Sequence, residues 1–115
     1  MKEDASGKVR IKARIQELYD AGQLDGLECS HLREIKDVVP SSVGCEDCLK
    51  TGDTWVHLRV CLECGHVGCC DDSKNRHATR HSHETHHPVI ASYEEGEEWI
   101  YCYIDHVGVN LQGNG

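Results

Sequence analysis

Cysteine and histidine recur between residues 45 and 87 at spacings that suit metal ligands. The pairs Cys45-x2-Cys48 and Cys61-x2-Cys64 each turn two sulfurs toward one point, with a bite that suits Zn–S bonds of about 2.3 Å. Thiolate and imidazole are the donors that zinc takes in closed, four-coordinate structural sites. Further potential ligands follow at Cys69, His77, His81 and His87. The pattern therefore offers enough ligands for two tetrahedral zinc sites.

The composition of the 115-residue chain favours a single small domain held together by metal over one with a large apolar core. It has eight cysteines, nine histidines and no phenylalanine, and small scaffolds poor in apolar bulk usually need a staple. A disulfide framework is the alternative use of an even number of cysteines. The first twenty residues contain no apolar signal segment, so reduced thiols and a cytoplasmic location are expected. No apolar run approaches the length of a membrane span.

The charge of the chain favours a protein partner over a nucleic acid or a membrane. The formal net charge is −8, whereas nucleic-acid modules display a basic patch or stripe. A basic run at residues 8–14 and an acidic run at residues 94–98 are interpreted as solvated faces.

Hydrophobic periodicity predicts two helices and three strands around the potential ligands. Residues 7–21 have helical spacing that Gly22 would end, and residues 73–83 are predicted as a polar helix that carries two of the histidines along one side. Residues 54–60 alternate as a half-buried strand. The remaining strands are predicted at 89–93 and 99–107, joined by the acidic turn.

Two details of these elements bear on the site. In the first strand, Val56 should face the core with Leu58 and Val60, while Trp55 and Arg59 should face the other way. The polar helix should begin at a Ser73 or Asp72 cap, and Pro88 should force His87 out of helical geometry.

A longer ordered set of residues includes these ligands. It comprises Cys29-x-His31, Cys45-x2-Cys48, Trp55, Cys61-Leu62-Glu63-Cys64, Cys69, His77-x3-His81-x5-His87-Pro88, Trp99 and Cys102. The set resembles the UBP-type zinc finger, the ubiquitin-binding module of many deubiquitinases and of one cytoplasmic histone deacetylase. It is also similar to short, free-standing prokaryotic versions of that module, in which a stretch like residues 64–71 is familiar. The match covers about residues 27–107.

The resemblance implies an α+β fold: a small zinc-stabilised domain with a twisted antiparallel sheet, one or two helices and interleaved zinc sites. We expect an N-terminal helix and linker over residues 1–26, the finger domain over 27–107 and a flexible tail over 108–115. The resemblance also implies the ligand sets. One site would use Cys45, Cys48, Cys69 and His77, and another would use Cys61, Cys64, His81 and His87. A plain zinc ribbon, with both cysteine pairs on one ion, is the alternative.

A third zinc site of the family would join Cys29 and His31 to a late Cys-x2-Cys pair. Here only Cys102 is present, and Asp105 stands at the position of the second cysteine. His106 follows it, and either residue can ligate zinc; we favour Asp105. The alternative is that this site does not form.

One motif suggests an enzyme. The stretch from His83 to His87 matches the His-Glu-x-x-His signature of zinc proteases, in which both histidines share a helix face and the glutamate is the general base. Because Pro88 pushes His87 out of the helix, the pair should not share a face. We therefore expect no catalysis. His57, His66, His83, His86 and Cys70 remain as surplus residues with ordinary hydrogen-bonding or exposed roles.

In family members that recognise ubiquitin, an aromatic pocket takes in the free Gly-Gly tail and an arginine holds its carboxylate. The aromatic part is expected from Trp55, Trp99, Tyr101 and Tyr103. The arginine position reads Asp71 here, which would repel a carboxylate, so Arg59 is the candidate replacement. We expect a zinc-organised module that recognises a protein or peptide tail, and binding of ubiquitin itself is not predicted. A RING-like adaptor, a structural zinc protein and a zinc hydrolase are the alternatives.

Overall fold

The computed structural model describes residues 7–111. Three α-helices occupy Lys12–Asp20 (α1), Glu46–Thr51 (α2) and His77–Thr85 (α3). The strands are Leu58–Cys61 (β1), Val67–Cys69 (β2), Val89–Ser92 (β3), Trp99–Cys102 (β4) and Val107–Asn110 (β5). They form one five-stranded sheet in the order β2-β1-β3-β4-β5, and every pairing is antiparallel. The predicted α+β class with an antiparallel sheet is confirmed, with one helix more than the one or two expected.

The amino-terminal helix α1 packs on the core of the sheet. Ile15 and Leu18 of α1 are buried in the same core as Val60 and Ile100 of the sheet. Just before α1, Val9 forms an antiparallel bridge with Val38. Val9 and helix α1 therefore belong to the same core as the sheet. The division into residues 1–26, 27–107 and 108–115 stays a prediction.

The first predicted strand is shorter than expected. Strand β1 begins at Leu58, and Val56 is 53% exposed instead of facing the core. The backbone N–H of Val56 donates to Ser73 Oγ at 2.8 Å, so it has no strand partner. Trp55 precedes the strand and packs against the core next to Gly44, where an added Cβ would meet the indole at 2.7 Å.

The polar helix also begins later than predicted. Because Ser73 accepts the hydrogen bond from Val56, it does not cap the helix, and α3 starts after Arg76, whose φ of 50° is left-handed. The N–H of His77 donates to Cys69 Sγ at 3.2 Å, so a cysteine sulfur serves the first helical residue. The helix ends at Thr85.

The sheet extends beyond residue 107. The predicted long strand over residues 99–107 is two strands, β4 and β5, and the sheet continues through Asn110. Val109 and Leu111 are buried, and the N–H of Leu111 donates to the carbonyl of Glu98 at 2.7 Å. The apolar side chains of Val109 and Leu111 thus pack on the core, as part of and just after β5. Residues 112–115 of the predicted tail and residues 1–6 lie outside the described range.

Each helix within residues 7–111 falls short of the length and apolar character that a bilayer-crossing helix requires.

Candidate metal centres and ligand groove

The twelve residues predicted as metal ligands come together in three clusters. In each cluster the potential ligand atoms lie within 4.8 Å of one another. The first cluster is Cys45, Cys48, Cys69 and His77, the second is Cys61, Cys64, His81 and His87, and the third is Cys29, His31, Cys102 and Asp105. The two Cys-x2-Cys pairs belong to different clusters, so the single-ion zinc ribbon does not form.

The first cluster joins α2 to the far edge of the sheet and to α3. His77 Nδ1 lies 3.2 Å from Cys45 Sγ, 3.4 Å from Cys48 Sγ and 3.6 Å from Cys69 Sγ. All three thiols are fully buried. A tetrahedral zinc with ordinary Zn–S and Zn–N bonds has ligand–ligand edges of about 3.5 to 3.8 Å. The cluster is therefore close to the size that zinc requires.

The second cluster ties the turn after β1 to α3 and the segment that follows it. Cys61 Sγ lies 3.5 Å from His87 Nδ1, and Cys64 Sγ lies 3.3 Å from His81 Nε2. The rings of His81 and His87 meet edge to face. Burial, followed by the neighbouring imidazoles, lowers the pKa of His81 to about 4, so this ring is neutral and can donate its lone pair to a metal.

The third cluster uses the aspartate rather than the histidine that follows it. His31 Nδ1 lies 2.8 Å from Asp105 Oδ2 and 3.6 Å from Cys102 Sγ, and Cys29 Sγ lies 3.8 Å from the same nitrogen. His106 turns away, and its Nδ1 pairs with Tyr101 Oη at 2.8 Å. The set of two sulfurs, one nitrogen and one oxygen is among those that zinc accepts.

Burial keeps the thiols of these clusters protonated when no metal is bound. Burial raises the pKa of Cys45 to about 12, of Cys29 to about 12 and of Cys61 to about 11. Thiolates packed this closely need a compensating positive charge, and a coordinated metal deprotonates its thiols outright. The soft thiolate and imidazole donors match zinc. All eight cysteines are free, so the disulfide alternative is not realised.

The zinc-protease motif does not form a site. His83 belongs to α3 and meets Tyr103 edge to face, whereas His87 lies beyond the helix in the second cluster. Between them, His86 has a left-handed φ of 61°, which ends the helix before the second histidine of the motif. The two histidines therefore serve different parts of the molecule, as the proline argument predicted.

A groove of about 480 Å³ lies on the face of the sheet opposite the core. Along β4, Ile100 and Cys102 are buried, whereas the alternating Trp99 and Tyr101 are half-buried and line the groove. Tyr103 follows, with its ring 5.5 Å from that of Tyr101 in a T-shaped pair. The groove also contains Arg59, Asp71, Asp72, Thr79, His83 and His106.

Arg59 is fixed in this groove by its neighbours. Its guanidinium carbon lies 4.5 Å from the ring centroid of Trp99, and Nη1 donates to the carbonyl of Leu58 at 2.9 Å. The same nitrogen is 4.0 Å from Glu97 Oε1. A stacked arginine keeps its planar fork in a defined orientation. Arg59 was predicted to face away from the core, and that face of the sheet is the one that carries the groove.

The expectation for Trp55 needs correction. It does not line the groove with Arg59, because β1 begins three residues after it and its indole packs on the core beside Gly44. The aromatic lining comes from Trp99, Tyr101 and Tyr103 alone among the predicted residues.

Sequence reasoning missed several polar residues of the groove. The Oγ1 of Thr79 donates to the carboxylate of Asp71 and contacts Tyr103 Oη at 3.1 Å. The acidic turn is also more than a solvated face, because Glu94 Oε2 accepts from the N–H of Leu58 at 2.8 Å. No periodicity marks these residues, and only the pairing of β1 with β3 brings the turn to Leu58.

An antiparallel sheet stapled by clustered cysteines and histidines, with a groove on its outer face, defines a zinc-finger domain. The family model of the Zn-finger in ubiquitin-hydrolases and other proteins matches residues 45–113. The chain belongs to this UBP-type zinc-finger family, as the motif order predicted.

Two curated relatives match about two thirds of this chain and a small part of their own length. Ubiquitin carboxyl-terminal hydrolase 44 of Ailuropoda melanoleuca is 30% identical over 83 residues, which are 67% of this chain and 11% of that protein. NAD-dependent deacetylase sir2A of Dictyostelium discoideum is 30% identical over 84 residues, covering 65% of this chain and 15% of its own length. The chain thus spans between about a tenth and a seventh of these relatives' length.

A solved structure matches much more completely. The solution NMR structure of protein RPA1320 from Rhodopseudomonas palustris is 52% identical, with a TM-score of 0.69. The match covers 77% of this chain and 92% of that one.

Proposed function

We propose that this protein is a peptide-recognition module that binds the free carboxy-terminal tail of a protein partner in the groove and has no catalytic activity of its own. One observation carries the proposal: Arg59, stacked on Trp99, places a guanidinium inside a groove walled by Tyr101 and Tyr103. A guanidinium binds a carboxylate through two parallel N–H bonds. Aromatic walls suit a slender, extended tail because their flat faces pack on backbone and small residues.

The zinc ions have a structural role in this proposal. We assign one zinc ion to each of the three clusters, with the ligand sets given above. Each set supplies four protein ligands, and a closed set leaves no position for a reacting water or substrate. His87, the second histidine of the motif that suggested hydrolysis, belongs to the second cluster and is therefore assigned to a closed structural site. The metals hold α2, α3 and the sheet in place so that the groove keeps its shape.

Asp71 shapes which tails are accepted. Its carboxylate lies on the wall of the groove and accepts a hydrogen bond from Thr79. A tail carboxylate is repelled from that wall and attracted to Arg59, so the two charges orient the ligand. The name of the matched hydrolase refers to ubiquitin. The ligand proposed here is a free carboxy-terminal tail, without assignment to ubiquitin.

An NMR titration of the zinc-loaded protein tests the proposal. One peptide ends in free Gly-Gly, and the second is identical except for an amidated carboxy terminus. We expect the free acid to shift the indole of Trp99 and the ring signals of Tyr101, and the amide to shift them much less, because the amide has no charge for Arg59. Equal shifts with both peptides, or none with either, would contradict carboxylate recognition.

A variant pair identifies the arginine responsible. Arg59→Ala is expected to weaken binding of the free acid by about tenfold or more, since hydrogen bonds between charged groups contribute about 1.5 to 3 kcal/mol. Arg33→Ala is the matched control, because Arg33 also stacks on an aromatic ring, that of Tyr19, but lies outside the groove. Unchanged affinity in Arg59→Ala would rule out its proposed role.

A further inference from the structure

His66 lies between the first and second clusters, in sequence and in space. It follows Cys64 of the second cluster and precedes Cys69 of the first. Its carbonyl accepts the N–H of Cys61 at 2.9 Å, which fixes the turn between β1 and β2. Its side chain is only 13% exposed, so its ring position is set by the side chains around it.

One face of the His66 ring supports a proposed zinc ligand. The rings of His66 and His81 stack with centroids 4.1 Å apart and planes 7° from parallel. On His81, Nε2 faces Cys64 Sγ at 3.3 Å. Because the stacked ring blocks rotation of the His81 imidazole, it helps to hold that nitrogen toward the metal.

The polar edge of the same ring contacts the other cluster. His66 Nε2 donates to Asp47 Oδ2 at 2.9 Å. Asp47 stands between Cys45 and Cys48 in the first turn of α2, the helix that carries the first cluster. The Asp47–His66 hydrogen bond therefore joins the loop of one metal cluster to a histidine packed on a ligand of the other.

Glu46 also lies close to Asp47 and His66, but it is paired with another residue. Glu46, Asp47 and His66 also bring potential ligand atoms within 4.8 Å of one another. However, Glu46 Oε2 lies 3.5 Å from Lys50 Nζ, one turn further along the same helix. Glu46 is thus engaged elsewhere, and the geometry needs no further metal ion at this place.

We propose that Asp47 and His66 are positioning residues that couple the first two zinc sites. Asp47 orients His66, and His66 holds the imidazole of His81 in the orientation that zinc needs. Outer hydrogen bonds of this kind typically change metal affinity by about 10- to 100-fold when removed. The inference rests on the ligand sets proposed above, and it predicts that a change in the loop of the first cluster loosens the metal of the second.

Site-resolved metal exchange tests this coupling. The protein is loaded with the NMR-active isotope of cadmium, whose chemical shift depends on the number and type of its ligand atoms. The first cluster has three sulfurs and one nitrogen, the second has two sulfurs and two nitrogens, and the third has two sulfurs, one nitrogen and one oxygen, so the three should give separate signals. In Asp47→Ala, transfer of cadmium from the second cluster to excess chelator is expected to be about tenfold faster than in the wild type.

Glu46→Ala is the matched control. It removes a carboxylate from the same helical turn and the same cavity but leaves the Asp47–His66 hydrogen bond intact. The rate of loss from its second cluster should equal that of the wild type. Equal rates in Asp47→Ala and the wild type, or equal acceleration in the two variants, would overturn the proposal.

His66→Phe separates the hydrogen bond from the stacking. It keeps a ring against His81 but has no Nε2–H for Asp47, so it should accelerate loss as Asp47→Ala does, and the double variant should be no faster than either. Additive effects in the double variant would overturn the coupling. If His66→Phe does not fold, the comparison of Asp47→Ala with Glu46→Ala is sufficient to test the coupling. A cadmium spectrum without a signal for a site of two sulfurs and two nitrogens would overturn the assignment of the second cluster and the coupling with it.

Discussion

At the scale of single residues, Asp71 brings a carboxylate to the wall of the groove. It accepts a hydrogen bond from Thr79, whose Oγ1 also contacts Tyr103 Oη. Burial, above all, raises the pKa of Tyr103, so the phenol stays protonated at neutral pH. The carboxylate is therefore the charged member of this hydrogen-bonded chain.

Replacing Asp71 should change tail affinity in a graded way. We expect Asp71→Asn to bind the free-acid peptide more tightly, because it removes the repulsive charge and keeps an acceptor for Thr79. Asp71→Arg should bind more tightly still, by about tenfold over the wild type, because a charged donor replaces a charged acceptor. Titration calorimetry with the acid and amide peptides measures both. Identical affinities across the three proteins would show that Asp71 does not face the ligand.

The third cluster offers a clean test of one ligand. Asp105→Ala should lose one bound zinc ion, because Asp105 Oδ2 is 2.8 Å from His31 Nδ1 in that cluster. His106→Ala should keep all of its zinc, since that ring pairs with Tyr101 instead. Native mass spectrometry counts the bound ions in both variants. If His106→Ala lost a zinc ion and Asp105→Ala did not, His106 rather than Asp105 would be the ligand.

At the scale of secondary structure, α3 depends on a residue that has no side chain. A Cβ at Gly68 of β2 would lie 2.7 Å from the backbone nitrogen of Ala78. The helix therefore packs with its backbone directly against the strand. This contact places His77 and His81 over their respective cysteines.

Gly68→Ala should consequently destabilise the fold. Overpacking of this kind typically costs about 1 to 3 kcal/mol, and here the crowded atoms are backbone, which cannot turn aside. Gly108→Ala is the control, because its Cβ would meet its nearest neighbour at an ordinary 3.7 Å. Thermal unfolding of the zinc-loaded proteins compares them. A melting temperature as low for Gly108→Ala as for Gly68→Ala would contradict the packing argument.

The elements show what the sequence could and could not predict. The short Cys-x2-Cys spacings predicted enough ligands for two metal sites, whereas the division of the ligands into sets, and the third set, were implied by the resemblance to the UBP-type finger. Strand β2 and helix α2 were not recognised, because three and six residues are too few to show a hydrophobic period. Trp55 was misplaced because alternation continues from residue 54 while the strand begins at Leu58. A local pattern cannot show that the distant Ser73 accepts the hydrogen bond from the N–H of Val56.

At the scale of the whole molecule, the clusters connect segments that are far apart in the sequence. The first cluster joins α2, β2 and α3, and the third joins the segment before α2 to the end of β4. Chelation should therefore unfold the domain rather than only empty it. We expect excess chelator to remove the dispersion of amide signals in NMR spectra and added zinc to restore it. Retained dispersion in the metal-free protein would show that the apolar core suffices.

Zinc retention should also depend on pH in a definite direction. In the absence of metal, burial raises the pKa of Cys45 to about 12 and of Cys61 to about 11, so both thiols hold their protons at neutral pH. Zinc must displace these protons, and its affinity should fall as the pH falls, by about tenfold per pH unit for each proton released. Competition with a chelator of known affinity at several pH values measures the slope. An affinity independent of pH would contradict proton displacement.

The long sequence separation within the clusters has a consequence for synthesis on the ribosome. The third cluster pairs His31 with Asp105, which are 74 residues apart, and the first pairs Cys45 with His77, which are 32 residues apart. No cluster can close until its last ligand has left the exit tunnel, so the early cysteines emerge before their partners exist. During that interval they are open thiols, and the supply of metal to the nascent chain must compete with oxidation for them.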